Sequence, residues 1–428
     1  MTHCDVLVVG AGPAGIAAAA TAAEAGRRVL LIDDNPAPGG QIWRGHAGSA
    51  GAGQPHSAPY TKWAQSLIAA RVQLLSATRV IDRPHQGVLR VESESGSADI
   101  CFDRLVLATG ARERFLPFPG WTLPGVMGAG GLQAMVKAGL PIAGKRVVLS
   151  GSGPLLLAVA ANLHRHGARI AGIFEQASLP LILRFAASLV AQPGKLLEGA
   201  RYRLQVISAP WRASSWVTRA HGEDCLQSVT VHSGSGAREI ACDYLGCGFH
   251  LVPNLELPRL IGCAIQDGCV RVDSAQQSSV SHVYCAGELT GIGGLDKALV
   301  EGEIAGLAAA GRSTAHLARR RNRALQFARN LDRAFDLRAE LRTLPGPQTI
   351  ICRCEDVRFS SLQDAHCVRA AKLHTRCGMG PCQGRVCAPA TAFLFGWESD
   401  SVRPPILPAT VRTLARHCES VAPGTIES

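Results

Sequence analysis

The stretch DVLVVGAGPAG, from Asp5 to Gly15, decides the fold. Its first residues predict a short buried strand, and an alanine-rich helix follows its glycines. Gly10, Gly12 and Gly15 form a G-x-G-x-x-G pattern at the turn between that strand and that helix. There the first glycine permits the turn, the second lets a pyrophosphate approach the backbone, and the third lets the helix pack closely on the strand. The stretch therefore predicts an α/β dinucleotide-binding domain.

An acidic residue stands where such a domain needs one. The segment RRVLLIDD predicts the second strand, and Asp33 closes it 23 residues after Gly10. A carboxylate in this place accepts hydrogen bonds from ribose hydroxyls, and the helix N-terminus attracts the phosphates. Asp34 is the weaker alternative. The pattern by itself does not separate FAD from NAD.

Residues 145–176 repeat the plan of strand, turn, helix and strand. Gly151 and Gly153 match the first two glycines, and Glu175 stands at the end of the second strand. The third glycine is replaced by Leu156, which we expect to crowd the contact between helix and strand. Two interpretations remain, a working site for NAD or an adenine nucleotide and a degenerate structural domain, and the leucine favours the second.

Composition and charge limit the class of protein. Of the 428 residues 47% are hydrophobic and 18% charged, which is typical of folded proteins with two or three domains. Nine arginines between Arg312 and Arg342 contribute to the net charge of +11. No nucleic-acid-binding motif accompanies them, and apolar residues recur at helical spacing, so we predict an amphipathic helix and no nucleic-acid partner.

Two features indicate the compartment. No signal peptide precedes the first strand, and no apolar run reaches the length of a bilayer. The chain has 15 cysteines, an odd number that argues against a disulfide framework. The sequence predicts a cytoplasmic protein without a membrane span and leaves peripheral contact with the inner face of a membrane open.

Five cysteines in two short stretches near the carboxyl end call for a separate explanation. ICRCEDV places Cys352 and Cys354 as C-x-C, and TRCGMGPCQGRVC places Cys382 and Cys387 as C-x4-C. Four thiolates are the ligand set of an iron–sulfur cluster, and nearby glycines let backbone N–H groups turn toward the sulfurs. We predict these four as ligands of a [2Fe-2S] cluster. A structural zinc site is the rival, although zinc sites favour C-x2-C spacing, and a site without metal is the third alternative.

The remaining cysteines are predicted not to be ligands. Cys377 is interpreted as a neighbour of the cluster, and Cys367 is assigned to a helix over SLQDAHCVRAAK. Cys242 and Cys247 have C-x4-C spacing but lie in a predicted strand and turn. No catalytic nucleophile or general base is predicted, since the histidines fit surface or packing positions.

Three further segments resemble the glutathione reductase and thioredoxin reductase superfamily, whose flavoproteins have two dinucleotide-binding domains. They are PAPGGQIW after the acidic residue, LVLATGAR at residues 105–112 and VYCAGELTGIGGLDKALVEGEIAG at residues 283–306. The resemblance implies FAD at the first site and implies a set of further contact residues, which are Gly39, Gly40, Gln41, Thr109, Gly110, Gly287 and Glu288. In the superfamily an aspartate contacts the ribityl chain of FAD where this sequence has Glu288.

The carboxyl-terminal spacing resembles bacterioferritin-associated ferredoxin. A flavoprotein body, a basic helix and such a domain together resemble the alpha subunit of heteromeric amino-acid dehydrogenases, a group with opine oxidases, D-hydroxyproline dehydrogenase and hydrogen cyanide synthase. This resemblance implies a substrate-oxidising flavoprotein beta subunit, with a small third subunit in some members. It implies electron transfer to an external acceptor such as a quinone. Some relatives bind FMN between subunits and hold ATP or NAD in place of FAD in the first site.

The expected fold class is α/β, a glutathione reductase-like flavoprotein with a small [2Fe-2S] domain. The predicted parts are an FAD-type domain at 1–115 and 268–312, a second nucleotide-binding-like domain at 116–267, a basic helical connector at 313–348, a [2Fe-2S] domain at 349–398 and a tail at 399–428. Gly45 to Pro59 is predicted to be a mobile loop.

The predicted function is that of an electron-transferring alpha subunit of a dehydrogenase for amino acids or secondary amines. A self-contained NAD(P)H-dependent reductase with FAD and [2Fe-2S] is the alternative. A third hypothesis is a scaffold without redox function that binds ATP and zinc.

Overall fold

The protein is described here as a computed structural model, which covers residues 2–44, 58–234, 236–398 and 402–416. The predicted mobile loop falls almost entirely outside these residues, and its last two residues begin a helix. The strands are β1 (Thr2–Val9), β2 (Val29–Ile32), β3 (Gln73–Leu75), β4 (Arg79–His85), β5 (Val88–Ser93), β6 (Gly96–Leu107), β7 (Ala111–Glu113), β8 (Val126–Gly128), β9 (Arg146–Ser152), β10 (Arg169–Glu175), β11 (Trp211–Arg212), β12 (Trp216–His221), β13 (Ser228–Ser233), β14 (Gly236–Ala241), β15 (Tyr244–Phe249), β16 (Leu251–Pro253), β17 (Ile265–Gln266), β18 (Cys269–Val270), β19 (Val283–Cys285), β20 (Ile350–Cys352) and β21 (Val357–Arg358). The α-helices are α1 (Pro13–Glu24), α2 (Ala58–Ala69), α3 (Ala129–Lys137), α4 (Leu155–Arg165), α5 (Leu179–Ser188), α6 (Pro193–Gln205), α7 (Glu256–Ile261), α8 (Gly294–Ala309), α9 (Ala318–Phe335), α10 (Val368–Thr375), α11 (Cys387–Phe395) and α12 (Val411–Leu414).

The first domain is built on a seven-stranded sheet. Its strand order is β3-β2-β1-β6-β5-β4, and β19 pairs with β6. The strand β1 is parallel to both β2 and β6, and it is buried along most of its length. Parallel strands need crossover helices, and the alanine-rich α1 supplies the first of them.

The sheet of this domain gains a further strand after residue 282. The strand β19 is parallel to β6, and α8 then packs on α1. A side chain at Gly302 would meet the carbonyl oxygen of Ala14 at 2.2 Å, so only glycine lets the two helices approach this closely. The carboxyl-terminal ends of β1 and β6 therefore meet the start of α8 at one edge of the sheet.

The second domain repeats the parallel arrangement. Its sheet has the order β11-β10-β9-β15-β8, and a three-stranded antiparallel sheet, β12-β13-β14, is attached. The expected crowding by Leu156 is absent because the neighbouring strand β15 carries Gly248. A Cβ there would lie 3.3 Å from Leu156 Cδ2, so this glycine makes the room that the third glycine of the loop would otherwise make.

The connector contains the predicted amphipathic helix. Within α9, Phe327 and Phe335 are buried against Phe185 of α5, with ring centroids 5.9 and 5.1 Å apart. The charged face carries Arg320, which pairs with Glu303 of α8. The connector thus joins both nucleotide-binding-like domains.

The cysteine domain, residues 349–398, packs against the second domain. The indole N–H of Trp121 donates to the carbonyl oxygen of Ile350 in β20 at 2.6 Å. The predicted helix around Cys367 is partly wrong, because α10 begins only at Val368. Cys367 caps it instead, and its Sγ accepts from the N–H of Ala370 at 3.4 Å. A side chain that accepts from the first free N–H groups of a helix marks its N-terminus, so α10 begins directly after Cys367.

The described part of the tail lies on the first domain. The N–H of Ile406 donates to the carbonyl oxygen of Ile81 at 2.9 Å. Thr410 and Thr413 then donate their hydroxyls to Glu92 Oε1 at 2.7 and 2.6 Å. Among the helices described, none is both long and apolar enough to cross a membrane.

Candidate functional site

The first glycine loop, residues 10–15, has the geometry of a phosphate-binding turn. Gly10 has a φ of +103°, and a side chain there would lie 2.3 Å from the carbonyl oxygen of Ala108. A side chain at Gly15 would lie 1.7 Å from the carbonyl oxygen of Gly10. A Cβ at Gly12, by contrast, would come no nearer than 4.0 Å to its closest neighbour, Gly40. The backbone at Gly12 therefore stays open to a ligand, and no side chain caps the N-terminus of α1.

Asp33 closes the loop from the second strand. It is buried, and its carboxylate accepts from the backbone N–H of Ala11 and from the N–H and side-chain amide of Asn35, the last two at 2.8 Å. The predicted ribose-binding carboxylate is thus held directly beside the glycine turn. Asp34 is exposed, and its carboxylate accepts from the side-chain amide of Asn35.

Most of the implied FAD contacts gather around this loop. The N–H of Gly39 donates to the carbonyl oxygen of Ala11 at 2.7 Å, and a side chain at Gly40 would lie 2.9 Å from Gly12 Cα. Thr109 follows β6 directly beside Gly10, with its hydroxyl donating to Asn254, and Gly110 comes next with a φ of +66°. Gln41 is exposed.

Gly287 and Glu288 join the same groove from the returning segment. A side chain at Gly287 would lie 2.8 Å from Ala14 Cβ in α1. The Glu288 carboxylate accepts from the N–H groups of Gly293 and Gly294 at 3.1 and 2.8 Å, which caps the N-terminus of α8. Burial raises the pKa of Glu288 above its ordinary value. The longer side chain thus reaches the helix end, a contact that sequence spacing does not predict.

A buried ion pair supports this segment. Lys297 Nζ donates to Glu301 Oε2 at 2.7 Å and to the carbonyl oxygen of Gly287 at 2.9 Å. Glu301 in turn accepts from the N–H of Gly287 at 3.0 Å. Each charge therefore has several partners, which a buried pair needs to offset the loss of water. Neither residue was predicted from the sequence, although the i, i+4 spacing of Lys297 and Glu301 is a usable signal.

The second glycine loop, residues 151–156, is covered by the chain itself. The hydroxyl of Ser152 donates to the carbonyl oxygen of Phe335 at 2.8 Å, and the amide of Gln176 donates to that of Asp336 at 3.0 Å. Phe335 Cγ lies 3.8 Å from the position of a Cβ at Gly153. The end of α9 thus stands where a nucleotide would approach this loop.

The acidic residue of the second site is enclosed as well. Glu175 is 3% exposed and accepts from the N–H groups of Gly153 and Ala177 at 2.7 and 2.8 Å. Burial raises its pKa to about 7. Arg338 lies over the ring of Trp216 and donates its N–H to Gln176. These contacts favour the interpretation of a structural domain over a working NAD site.

The four predicted cluster ligands line one cavity, here called the cysteine cavity. Its volume is about 470 Å³, and its cysteines are Cys352, Cys354, Cys382 and Cys387. Cys352 and Cys387 are buried, whereas Cys354 is exposed and Cys382 half-buried. The thiol of Cys354 interacts with the backbone N–H and the thiol of Cys382. Residues far apart in sequence therefore form a buried pair and a more exposed pair in one space, which fits a four-thiolate cluster with two ligands on each iron.

Cys377, which was predicted to be a neighbour of the cluster and not a ligand, lies beside two of the four predicted ligands. Its Sγ and those of Cys352 and Cys387 are all within 4.8 Å of one another, and all three residues are buried. Cys377 does not line the cysteine cavity. Interactions of Cys352 with the thiols of Cys377 and Cys387, and then with the N–H of Gly378, lower its pKa well below the ordinary range. The buried end of the site therefore has three thiols.

Glycines bring the backbone close to these sulfurs. The N–H of Gly378 donates to Cys352 Sγ at 3.4 Å, the kind of contact that stabilises a thiolate ligand. A side chain at Gly380 would lie 2.3 Å from Cys354 Cβ. Gly378 and Gly384 have φ values of +79° and +77°, which glycine adopts readily.

The opposite wall of the cysteine cavity comes from the second domain. It includes Phe115, Trp121, Met127 and Gly128. The rings of Phe115 and Trp121 lie 4.8 Å apart. This wall is apolar and aromatic, so it makes one side of the cavity less polar than bulk water and offers ring faces to a ligand.

The other residues considered as possible reactive groups, two cysteines and one histidine, have surroundings typical of residues that stabilise the fold. Cys242 and Cys247 are fully buried, and burial raises the pKa of Cys242 to about 12 and that of Cys247 further. Protonated, buried thiols are unreactive. His250 Nε2 contacts the carbonyl oxygen of Phe335 at 2.9 Å, and burial lowers its pKa.

Comparison with known proteins agrees with this geometry. Residues 4–315 match the pyridine nucleotide-disulphide oxidoreductase family. The hydrogen cyanide synthase component HcnB of Pseudomonas aeruginosa is 32% identical over 436 residues, which cover 93% of this chain and 92% of that protein. One of the subunits of opine oxidase from Rhizobium meliloti is 33% identical over 458 residues, which cover 97% of this chain and 99% of that protein.

Solved structures show the same fold at lower identity. L-proline dehydrogenase from P. horikoshii is 19% identical with a TM-score of 0.69, and the match covers 97% of this chain and 80% of that one. Thioredoxin reductase from T. acidophilum is 20% identical with a TM-score of 0.56, and the match covers 73% of this chain and 99% of that one. The predicted α/β, Rossmann-type flavoprotein fold is confirmed. The chain belongs to the pyridine nucleotide-disulphide oxidoreductase family of FAD-dependent oxidoreductases, in the group of subunits that contains HcnB and its opine oxidase counterpart.

Proposed function

We propose that this chain is the electron-transferring subunit of a heteromeric dehydrogenase that oxidises an amino acid or a secondary amine of the opine or D-hydroxyproline type. A separate flavoprotein subunit oxidises the C–N bond of the substrate, and an external acceptor such as a quinone receives the electrons. The names of the relatives support this assignment, since HcnB and its opine oxidase counterpart are subunits of larger enzymes.

One observation carries the proposal. Cys352, Cys354, Cys382 and Cys387 line a single cavity that an aromatic wall closes on its other side. Thiols that only stabilise the fold do not need a cavity between them. A redox centre needs one, because it must hold the cluster and be accessible to an electron donor or acceptor. We assign these four residues as the ligands of a [2Fe-2S] cluster.

The proposed cofactors are FAD in the first glycine loop and the cluster in the cysteine cavity, where a flavin supplies two-electron and a cluster one-electron chemistry. The residues of this chain bind and orient these two cofactors. Gly12 would leave its backbone open to the pyrophosphate of FAD, Asp33 would accept hydrogen bonds from its ribose hydroxyls, and the N–H of Gly378 donates to Cys352 Sγ, a proposed ligand sulfur. The alternative is that the first loop binds ATP or NAD in place of FAD. Glu288 leaves this alternative open, because its carboxylate caps α8 at the position where the superfamily has the aspartate that contacts FAD.

The partner subunit is proposed to meet the cysteine cavity. Phe115, Trp121 and Met127 form an apolar wall of the cavity that also holds the more exposed pair, Cys354 and Cys382. A planar group such as FMN at a subunit interface suits this wall, because ring systems pack favourably on aromatic side chains. No residue of this chain is proposed as a catalytic acid, base or nucleophile.

Replacement of one ligand tests the cluster. The Cys382→Ser variant is expected to lose the visible absorbance of the cluster and to transfer electrons to an acceptor more slowly, while its flavin content stays unchanged. Cys225→Ser is the matched control, because Cys225 is exposed and lies in the second domain. Unchanged iron content and absorbance in Cys382→Ser would refute the ligand assignment.

Copurification tests the rest of the proposal. The chain is coexpressed with its genomic neighbours, and the complex is assayed for flavin, iron and bound nucleotide and for oxidation of amino acids and opines. The rival, a self-contained NAD(P)H-dependent reductase, requires an accessible second glycine loop, and Phe335 covers that loop. Rapid reduction of the purified single chain by NADH would favour the rival.

A further inference from the structure

The two ends of the cysteine site are unequal. Cys352, Cys377 and Cys387 place three buried sulfurs within 4.8 Å of one another. At the other end Cys354 and Cys382 stand more exposed, and the described residues contain no second group of three thiols. An iron with two bridging sulfides takes two protein ligands, so the buried end has one thiol more than it needs.

We propose that Cys377 is a reserve ligand, able to replace Cys352 or Cys387 on the iron at the buried end of the cluster. This inference rests on the proposed [2Fe-2S] assignment and adds an asymmetry to it. Loss of a thiol is tolerated at the buried end and is not tolerated at the exposed end.

The backbone around Cys377 permits such a replacement. Arg376 and Gly378, its two neighbours, have left-handed φ values of +64° and +79°, so Cys377 lies in a tight turn between α10 and α11 rather than inside a helix. The turn already touches the site, because the N–H of Gly378 donates to Cys352 Sγ. A change of the χ1 rotamer moves the Cys377 sulfur without movement of either helix.

The exchange balances without an oxidant. When Cys387 is absent, the Cys377 thiol gives its proton to solvent and the resulting thiolate forms the bond to iron that Cys387 would have formed. No electron is gained or lost in this step. The oxidation state of the cluster therefore stays the same, whereas the geometry and hydrogen bonding of one ligand change.

Alanine variants separate the two ends, since alanine cannot replace a sulfur ligand with an oxygen. Wild type should contain about two iron atoms per chain. Cys387→Ala should retain most of this iron with shifted resonances in its electron paramagnetic spectrum after dithionite reduction. Cys382→Ala should lose the iron, and the double variant Cys387→Ala/Cys377→Ala should lose it as completely. Cys377→Ala alone should keep the wild-type iron content.

These outcomes separate a failure of the reserve-ligand role of Cys377 from a failure of the proposed [2Fe-2S] assignment. A wild-type chain without iron would refute the proposed cluster itself. Iron in wild type together with complete loss in a folded Cys387→Ala, or retention in the double variant, would refute only the role of Cys377. Folding is monitored by flavin content and circular dichroism.

A second measurement does not depend on removing a ligand. Wild type and Cys377→Ala are incubated with an iron chelator, and the decay of visible absorbance is followed. A reserve thiol recaptures iron when one ligand dissociates, so the variant should lose its cluster several-fold faster. Equal rates would overturn the inference.

Discussion

The substitution Gly380→Ala tests the cysteine site without removal of any sulfur. The new methyl group would be placed 2.3 Å from Cys354 Cβ and 3.2 Å from Glu355 Oε1. The backbone of Gly380 is not left-handed, so alanine is conformationally acceptable there. The effect of the substitution therefore arises from the collision with Cys354.

The required displacement follows from the distances. Non-bonded carbons are comfortable at about 3.5 to 4.0 Å, so the two groups must separate by at least about 1.2 Å. Ligand distances in metal sites vary by only about 0.2 Å. The displacement is several times larger than this tolerance, and overpacking of this kind costs about 1 to 3 kcal/mol. Cys354 cannot keep its sulfur at the cluster in this variant.

Iron and acid-labile sulfide are measured per chain, together with visible absorbance and flavin content. Gly380→Ala should lose most of its iron and keep its flavin, since the flavin site belongs to another domain. Gly346→Ala is the matched control, because its methyl group would come no closer than 3.9 Å to any neighbour, the hydroxyl oxygen of Thr349. Wild-type iron content in Gly380→Ala would refute the assignment of Cys354 as a ligand.

Three further predictions concern the rest of the chain. Gly15→Ala should abolish flavin binding, measured by fluorescence of released flavin, because its methyl would lie 1.7 Å from the Gly10 carbonyl oxygen; wild-type flavin content would contradict this geometry. Glu92→Gln should lower stability at pH 7 by about 1.5 to 3 kcal/mol, because hydrogen bonds from the tail threonines, with that of Thr413 the largest cause, hold the pKa of Glu92 at about 2. This contribution is present above pH 4.5 and is lost as the pH falls toward 2, so the difference in melting temperature should shrink over that range; a constant difference would contradict it. NADH should leave the visible spectrum of the purified chain unchanged in stopped-flow mixing, since Phe335 covers the second glycine loop, and bleaching within seconds would show that the loop is accessible.

The sequence by itself determined those features that depend on local spacing. The turn at Gly10 to Gly15 requires particular backbone angles within a few residues, so its pattern predicted the strand, the helix and the neighbouring Asp33. The C-x-C and C-x4-C spacings likewise identified four cysteines that line one cavity. Such features can be predicted from the sequence, because a short segment with fixed residue spacing has few backbone conformations available to it.

Other features depend on residues distant in sequence. Phe335 covers a loop formed about 180 residues earlier, as its contact with Ser152 shows, and no local pattern in either segment indicates the other. Gly248, which lies in the neighbouring strand β15, makes room for the side chain of Leu156, so the crowding expected from the sequence does not occur. The helix predicted around Cys367 was placed partly wrongly, because the Cys367 side chain caps the N-terminus of α10 and the helix begins only at Val368.

The third thiol at the buried end of the cysteine site has the same origin. Cys377 was interpreted as a neighbour of the cluster and not as a ligand, because the residues around it were taken as the framework of the site, yet the turn before Gly378 brings its sulfur beside those of Cys352 and Cys387. Spacing along a chain fixes which residues a turn can join, whereas distances between separate elements depend on how their side chains pack. Only the tertiary structure decided which sulfurs lie together, because packing is a property of the whole folded chain.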